Sequence, residues 1–354
     1  MNTKLVILIF LICSFFICFI SCNKKEHYQN TSEITFGSFG SPVYLKAETV
    51  DLDAPLMKPR RVIQIDSFLF AQNVQTEFFV DRYNMNTLKK TGEYITFGGG
   101  PDELLWLHKI QQKDSSTWFF DSQKRTFTQY GVRDLCEKDT FTFQQKVRIE
   151  DPFSDVLALP DNRFVATILS SQHKRLTFYD AKGKMIETTG DFPSFGKEFT
   201  KIETLEGYVC EMVLSSDIKK IILFYKQTDL VEVYDVSGHL IKRIHGPEHF
   251  FPDVKEQSYG EKTKVSASPN ESRDAYFCPA IVGEEIFVLY SGKLYNPDQP
   301  SYLLNQLFVF DKNGNPQKQF ELSEPIFTFT VDPVKHVIYG LTDNPEFRIL
   351  KYSY

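Results

Sequence analysis

The sequence predicts an all-β, six-bladed β-propeller of four-stranded antiparallel blades, and three observations predict it. A short motif recurs six times: Phe79-Val80-Asp81, Phe119-Phe120-Asp121, Phe178-Tyr179-Asp180, Val233-Tyr234-Asp235, Val309-Phe310-Asp311 and a degenerate Leu350-Lys351-Tyr352. Its intervals average about 54 residues, near the length of one propeller blade. Runs rich in Val, Ile, Phe and Tyr, such as Arg61-Val62-Ile63-Gln64-Ile65 and Ile286-Phe287-Val288-Leu289-Tyr290, alternate with turn signals at strand spacing. Finally, Asp180-Ala181-Lys182-Gly183, Asp235-Val236-Ser237-Gly238 and Asp311-Lys312-Asn313-Gly314 read as hairpin turns. Aspartate caps such a turn with its side chain and glycine supplies the positive φ, so these aspartates read as structural.

The last motif copy is followed only by Ser353 and Tyr354, where other copies lead through a turn to one more strand. The final blade would then present an unpaired edge, which folded proteins avoid. The sequence therefore predicts that residues 32–39 complete it and close the ring. No linker interrupts residues 33–354, so they are expected to form one domain rather than two stacked sandwiches. The 33 Phe and 17 Tyr suit strands that pack between sheets.

Residues 1–21 read as a lipoprotein signal peptide. The apolar run from Leu5 to Ile20 follows Lys4 and is shorter than the ~20 residues that a membrane-spanning helix needs. Phe19-Ile20-Ser21-Cys22 then places a small residue before a cysteine and a polar run after it, which resembles a bacterial lipobox with Cys22 as the lipid site. Residues 22–32 are expected to be a flexible tether. The reading places the domain outside the cytoplasm, held to the cell envelope through the lipid and most naturally at the outer membrane.

A formal net charge of −6 with scattered basic residues gives no footprint for nucleic acid. With Cys22 lipidated, Cys136, Cys210 and Cys278 remain in the domain, an odd number that does not make a disulfide framework. Cys210 and Cys278 lie in apolar runs and read as small buried hydrophobes. Gly98-Gly99-Gly100-Pro101-Asp102-Glu103 and Gly246-Pro247-Glu248 sit where one blade hands over to the next, as tight crossings. His245-Gly246-Pro247-Glu248-His249 matches a zinc-protease spacing, but Gly-Pro in its middle opposes the helix that the chemistry requires. No metal, cofactor or catalytic constellation emerges from the sequence.

The glycine-proline-glutamate crossing resembles that of the TolB-like six-bladed propeller lipoproteins of Bacteroides and relatives. So do Tyr290-Ser291-Gly292-Lys293, Val309-Phe310-Asp311-Lys312-Asn313-Gly314-Asn315-Pro316, Ile338-Tyr339-Gly340 and Ile349-Leu350-Lys351-Tyr352. The resemblance implies a fold and a location and transfers no catalytic residue.

Function is read as a ligand- or protein-binding scaffold at the envelope, with an envelope protein, peptide or glycan as partner. The polar stretch 251–275 and the loop 291–304 are the candidate binding loops, and Tyr259, Tyr290, Tyr295 and Tyr302 the candidate contacts. The alternative is a propeller hydrolase or lyase acting on polysaccharide or peptide, with acids from different blades meeting at the channel. Two carboxylates roughly 5 to 9 Å apart in the channel beside exposed aromatics would favour the enzyme, and an apolar or plugged channel with tyrosines on one rim would favour binding.

Overall fold

Six antiparallel sheets succeed one another around an axis, five of them meanders of consecutive strands and the sixth completed from the N-terminal part of the chain. The structure is a computed structural model and describes residues 27–354 except 114, 170–173, 260–261 and 297–301. Cys22 and the segment expected to be a signal peptide lie outside the described residues. Blade one comprises Pro59–Ile65, Phe68–Asn73, Phe78–Asn84 and Lys89–Thr96. Blade two comprises Leu107–Lys113, Ser116–Asp121, Thr126–Gly131 and Phe143–Arg148. Phe153–Ala158, Phe164–Ile168, Leu176–Tyr179 and Met185–Thr189 form blade three. Cys210–Ser215, Lys220–Tyr225, Leu230–Asp235 and Leu240–His245 form blade four. Blade five holds Tyr276–Val282, Glu285–Tyr290, Leu304–Asp311 and Pro316–Ile326. Blade six takes Thr328–Asp332, Val337–Thr342 and Arg348–Ser353 from the end of the chain and Glu48–Val50 from its beginning.

An N-terminal strand thus closes the ring, with Val50 opposite Ile349, Thr49 opposite Leu350 and Glu48 opposite Lys351. The segment differs from the predicted 32–39. Thr31–Glu33 instead runs parallel to the outer strand of blade four, and Val43–Leu45 runs parallel to the outer strand of blade five. Between them Phe36–Phe39 makes one 3₁₀ turn that buries Phe39 against Phe308, ring centroids 4.2 Å apart. Burial of that ring stabilises the junction by about 1.5–3 kcal/mol, enough to fix where the segment crosses between blades. The N-terminal chain is therefore a belt over three successive blades.

The tether expected over 22–32 is also shorter than its assignment. Tyr28 is 2% exposed, packs edge-on against His245 and Phe195, and donates to Thr228 Oγ1 at 3.1 Å.

Five motif copies fall on third strands, whereas Phe119-Phe120-Asp121 ends a second strand. Asp180, Asp235 and Asp311 cap their turns as predicted: Asp235 Oδ1, for example, accepts from the amides of Ser237 at 2.8 Å and His239 at 2.9 Å. The closing glycines have φ of +80°, +84° and +74° at 183, 238 and 314. A side chain at Gly183 would also strike the Arg148 carbonyl, and one at Gly238 would strike Thr189 and Phe178. Each of these turns is seated on the outer edge of the preceding blade. Asp81 departs from the pattern, because it sits mid-strand in ion contact with Lys90 at 3.1 Å and Asn84 caps the turn of blade one.

Candidate functional site

The first strand of every blade faces the axis, and these strands enclose a channel of about 610 Å³. Four of them carry a register shift at the same height: between Pro59 and Arg61, Leu107 and Lys109, Phe153 and Asp155, and Phe277 and Ala280. A bulge adds a residue to one strand and re-aims its side chains. Here it delivers Arg61, Lys109, Asp155 and Cys278, each the third residue of its strand, to one level of the channel. Cys278 takes φ +53° to do so. Glu211 joins them from the first strand of blade four.

These charges pair across blades. Arg61 Nη2 lies 2.9 Å from Glu211 Oε2, and Lys226 Nζ lies 2.9 Å from Oε1 of the same carboxylate. Lys109 Nζ lies 2.8 Å from Asp155 Oδ2 and donates to the Met212 carbonyl at 2.8 Å, while the Met212 amide donates to Asp155 Oδ2 at 2.6 Å. His108 Nε2 stands 3.7 Å from Asp155. Burial alone would raise the Asp155 carboxyl, but the Lys109 ammonium and then His108 outweigh it and hold it at about 2. Glu211 is likewise drawn well below the usual carboxylate range against its burial, by Arg61 and then Lys226. Both acids are fixed as carboxylates.

Beyond this belt of charges, which is distinct from the N-terminal belt, the channel wall changes character. Ile63, Ile110, Val213, Ile281 and Phe329 line its middle, and Gln64, Gln111, Asp332 and Lys335 line the end toward which the first strands run. There Gln64 ties blade one to blade six through Thr330 Oγ1 at 2.9 Å and Asp332 Oδ2 at 3.0 Å.

A second hollow, of about 340 Å³, lies on the belt side. The polar stretch 251–275 builds one wall of it as a hairpin of Val254–Tyr259 and Lys262–Ala267. Helix Lys201–Gly207 buttresses the hairpin, with Glu203 Oε1 accepting from the Glu256 amide at 3.1 Å. Tyr295 and Tyr302 line the hollow, together with Glu206, Gln227, Lys264 and Phe277. Phe277 precedes Cys278, and Lys226 Nζ stands 5.7 Å over its ring, so hollow and belt meet at these two residues.

The four tyrosines predicted as contacts therefore separate. Tyr295 and Tyr302 are on the hollow, with Tyr302 half exposed and donating to Asp343 Oδ2 at 2.8 Å. Tyr259 ends the first strand of the hairpin. Tyr290 is a correction: at 2% exposure it is a core side chain of blade five, and its hydroxyl donates to Glu248 at 2.8 Å. Cys210 is buried as predicted; Cys278 is instead partly exposed, with Arg61 and Glu211 on the same channel lining. His245 ends the outer strand of blade four and 246–249 form a loop held on Asp229, which accepts from the amides of Glu248, His249 and Phe250, so the two histidines do not share a helix face. Among the described residues no group of three or more His, Cys, Asp or Glu could hold a metal ion.

Spacing along the chain could not reveal the belt, because its members come from five blades. The one available signal was the recurrence of a polar residue two places into a first strand, at Arg61, Lys109 and Asp155.

A closed ring of six four-stranded sheets around a charged channel makes this protein a six-bladed propeller of the axial-channel type. The chain belongs to the TolB-like 6-blade propeller-like family, whose model matches residues 38–333. Among solved structures it is similar to a member of the DUF4221 family from Bacteroides vulgatus, with TM-score 0.56 and 8% identity over 88% of this chain and 96% of that one. It is also similar to a candidate exported protein of Bacteroides fragilis, with TM-score 0.54 and 11% identity over 91% of this chain and 98% of that one. At these identities the likeness is one of fold. No curated protein matches the sequence.

Proposed function

We propose that the protein is an extracytoplasmic, lipid-anchored propeller that acts as a binding scaffold at the cell envelope, recognising its ligand at the belt side of the ring. The observation that carries this reading is the Arg61–Glu211 pair, which crosses the channel beside a hollow lined by Tyr295 and Tyr302. Hydrolytic chemistry by a carboxyl pair asks for one acid that keeps its proton near neutral pH, and the cations around Asp155 and Glu211 oppose that.

The signal-like segment and the candidate exported relative support the location. Tyr28, buried on the belt side, follows Cys22 by six residues, about 20 Å at full stretch. A lipid on Cys22 would hold the hollow close to the membrane, with the other channel mouth outward.

The test has two parts. Cys22→Ala should release the protein from the membrane fraction, and unaltered fractionation would overturn the anchor. The full-length protein should retain glycans or peptides from an array and return them chemically intact; a cleaved product by mass spectrometry would overturn the scaffold in favour of a hydrolase or lyase.

A further inference from the structure

The belt holds more positive charge than its own carboxylates neutralise. Arg61, Lys109 and Lys226 are paired with only two acids, Asp155 and Glu211. Arg60 adds a fourth cation close by: it precedes Arg61 at the bulge of blade one and interacts with the charges of Arg61 and Glu211, though it is not itself on the channel lining. Among the described residues Arg60 has no ion pair, and its Nη1 is buried without a hydrogen-bond partner. Its guanidinium instead lies over the indole of Trp106, 5.2 Å from the ring. A guanidinium beside a second one, half-buried and lacking an acceptor, is a costly arrangement for a folded chain to keep. Burial first and then the Arg61 charge draw the Arg60 pKa below its usual value, which reports the same cost.

An oxyanion would relieve both defects. A guanidinium over an aromatic ring keeps its N–H donors for a carboxylate or phosphate, and two nearby charges of excess match a ligand with two negative charges. We propose that the belt is an oxyanion site, with Arg60 on its Trp106 platform as the residue that receives the anionic group of the scaffold's ligand. The assignment rests on the scaffold reading and names the chemistry of what is bound: a small molecule, sugar or peptide bearing carboxylate or phosphate. Trp106 positions Arg60, and Glu211 and Asp155 keep the neighbouring cations in place.

The experiment titrates the full-length protein with glutarate, inorganic phosphate and neutral glutaramide, by calorimetry and thermal melting at low salt. Glutarate or phosphate should bind at millimolar concentration and raise Tm, and the stronger of the two names the source of the anion. Glutaramide should do neither. Arg60→Gln should weaken anion binding by about tenfold or more, and Arg60→Lys should retain part of it. Without anion, Arg60→Gln should melt at or above the wild-type temperature, because it removes an unpaired cation.

Equal anion affinity in Arg60→Gln, equal binding of glutaramide, or a lowered Tm of anion-free Arg60→Gln would each overturn the assignment. Retention of neutral glycans or peptides with no response to either anion would overturn it while leaving the scaffold standing. Turnover of an array ligand whose binding still requires Arg60 would do the reverse.

Discussion

Arg61 and Glu211 belong to blades one and four, which stand opposite each other in a ring of six, and their 2.9 Å ion pair spans the channel along a diameter. A strut of this kind couples sheets that share no edge. Removing one end leaves the other charge uncompensated in a largely enclosed place. Glu211→Gln should therefore lower stability by about 3–5 kcal/mol in urea unfolding, and the double change Arg61→Met with Glu211→Met should recover part of it. An effect within ±0.5 kcal/mol would mean that the pair is not held in solution.

Acid should expose the same belt through Asp155. Its folded-state carboxyl is held at about 2, below the ~3.9 of an unfolded chain. The unfolded state thus takes up the proton first as pH falls. Stability supplied by this group is complete above about 4 and is lost between about 4 and 2. Asp155→Asn should flatten that limb of the stability profile, and an unchanged slope would remove Asp155 from the account.

The hairpin glycines make a graded series. Gly183→Ala and Gly238→Ala combine positive φ with a collision against the preceding blade, whereas Gly283 has φ +57° and open space around it. The first two should cost more than about 2 kcal/mol by melting, and Gly283→Ala only about 1 kcal/mol for the backbone conformation. Equal losses at all three would show that the turns do not bear on neighbouring blades.

Truncation should separate the parts of the N-terminal belt. Deleting residues 23–40 removes the strand on blade four and the Phe39 plug, and should lower Tm while a fold persists. Deleting 23–51 also removes Glu48–Val50 and opens blade six, which should abolish the cooperative transition. Indistinguishable melting of the two deletions would contradict closure by Glu48–Val50.

How far the fold was legible follows from which interactions are local. The Asp-to-Gly turns could be read because their chemistry lies within five residues, and blade count followed from the spacing of the six motif copies. The need for a closing strand was legible from the C-terminus, but its identity was not. Thr31–Glu33, Val43–Leu45 and Glu48–Val50 are three residues each, too short to show a period, and only the edge that each meets distinguishes them. Tyr290 misled for a related reason. Every residue from Ile286 to Tyr290 is buried, because a blade is covered on both faces by its neighbours, so nothing in the pattern separates the end of a strand from the start of a loop. At the site, Tyr295 and Tyr302 could be found as aromatics on a long loop. Arg60, Arg61 and Glu211 could not, since they meet only once the ring has formed.

Glu48–Val50 pairs with residues some 300 positions later in the chain. The segment leaves the ribosome early, and its partner follows only about 300 residues later, so the circle cannot close before Arg348–Ser353 has been made. Contacts of such long range are slow to form. For a chain made from its N-terminus, Glu48–Val50 would be a clasp that is ready early and fastens late.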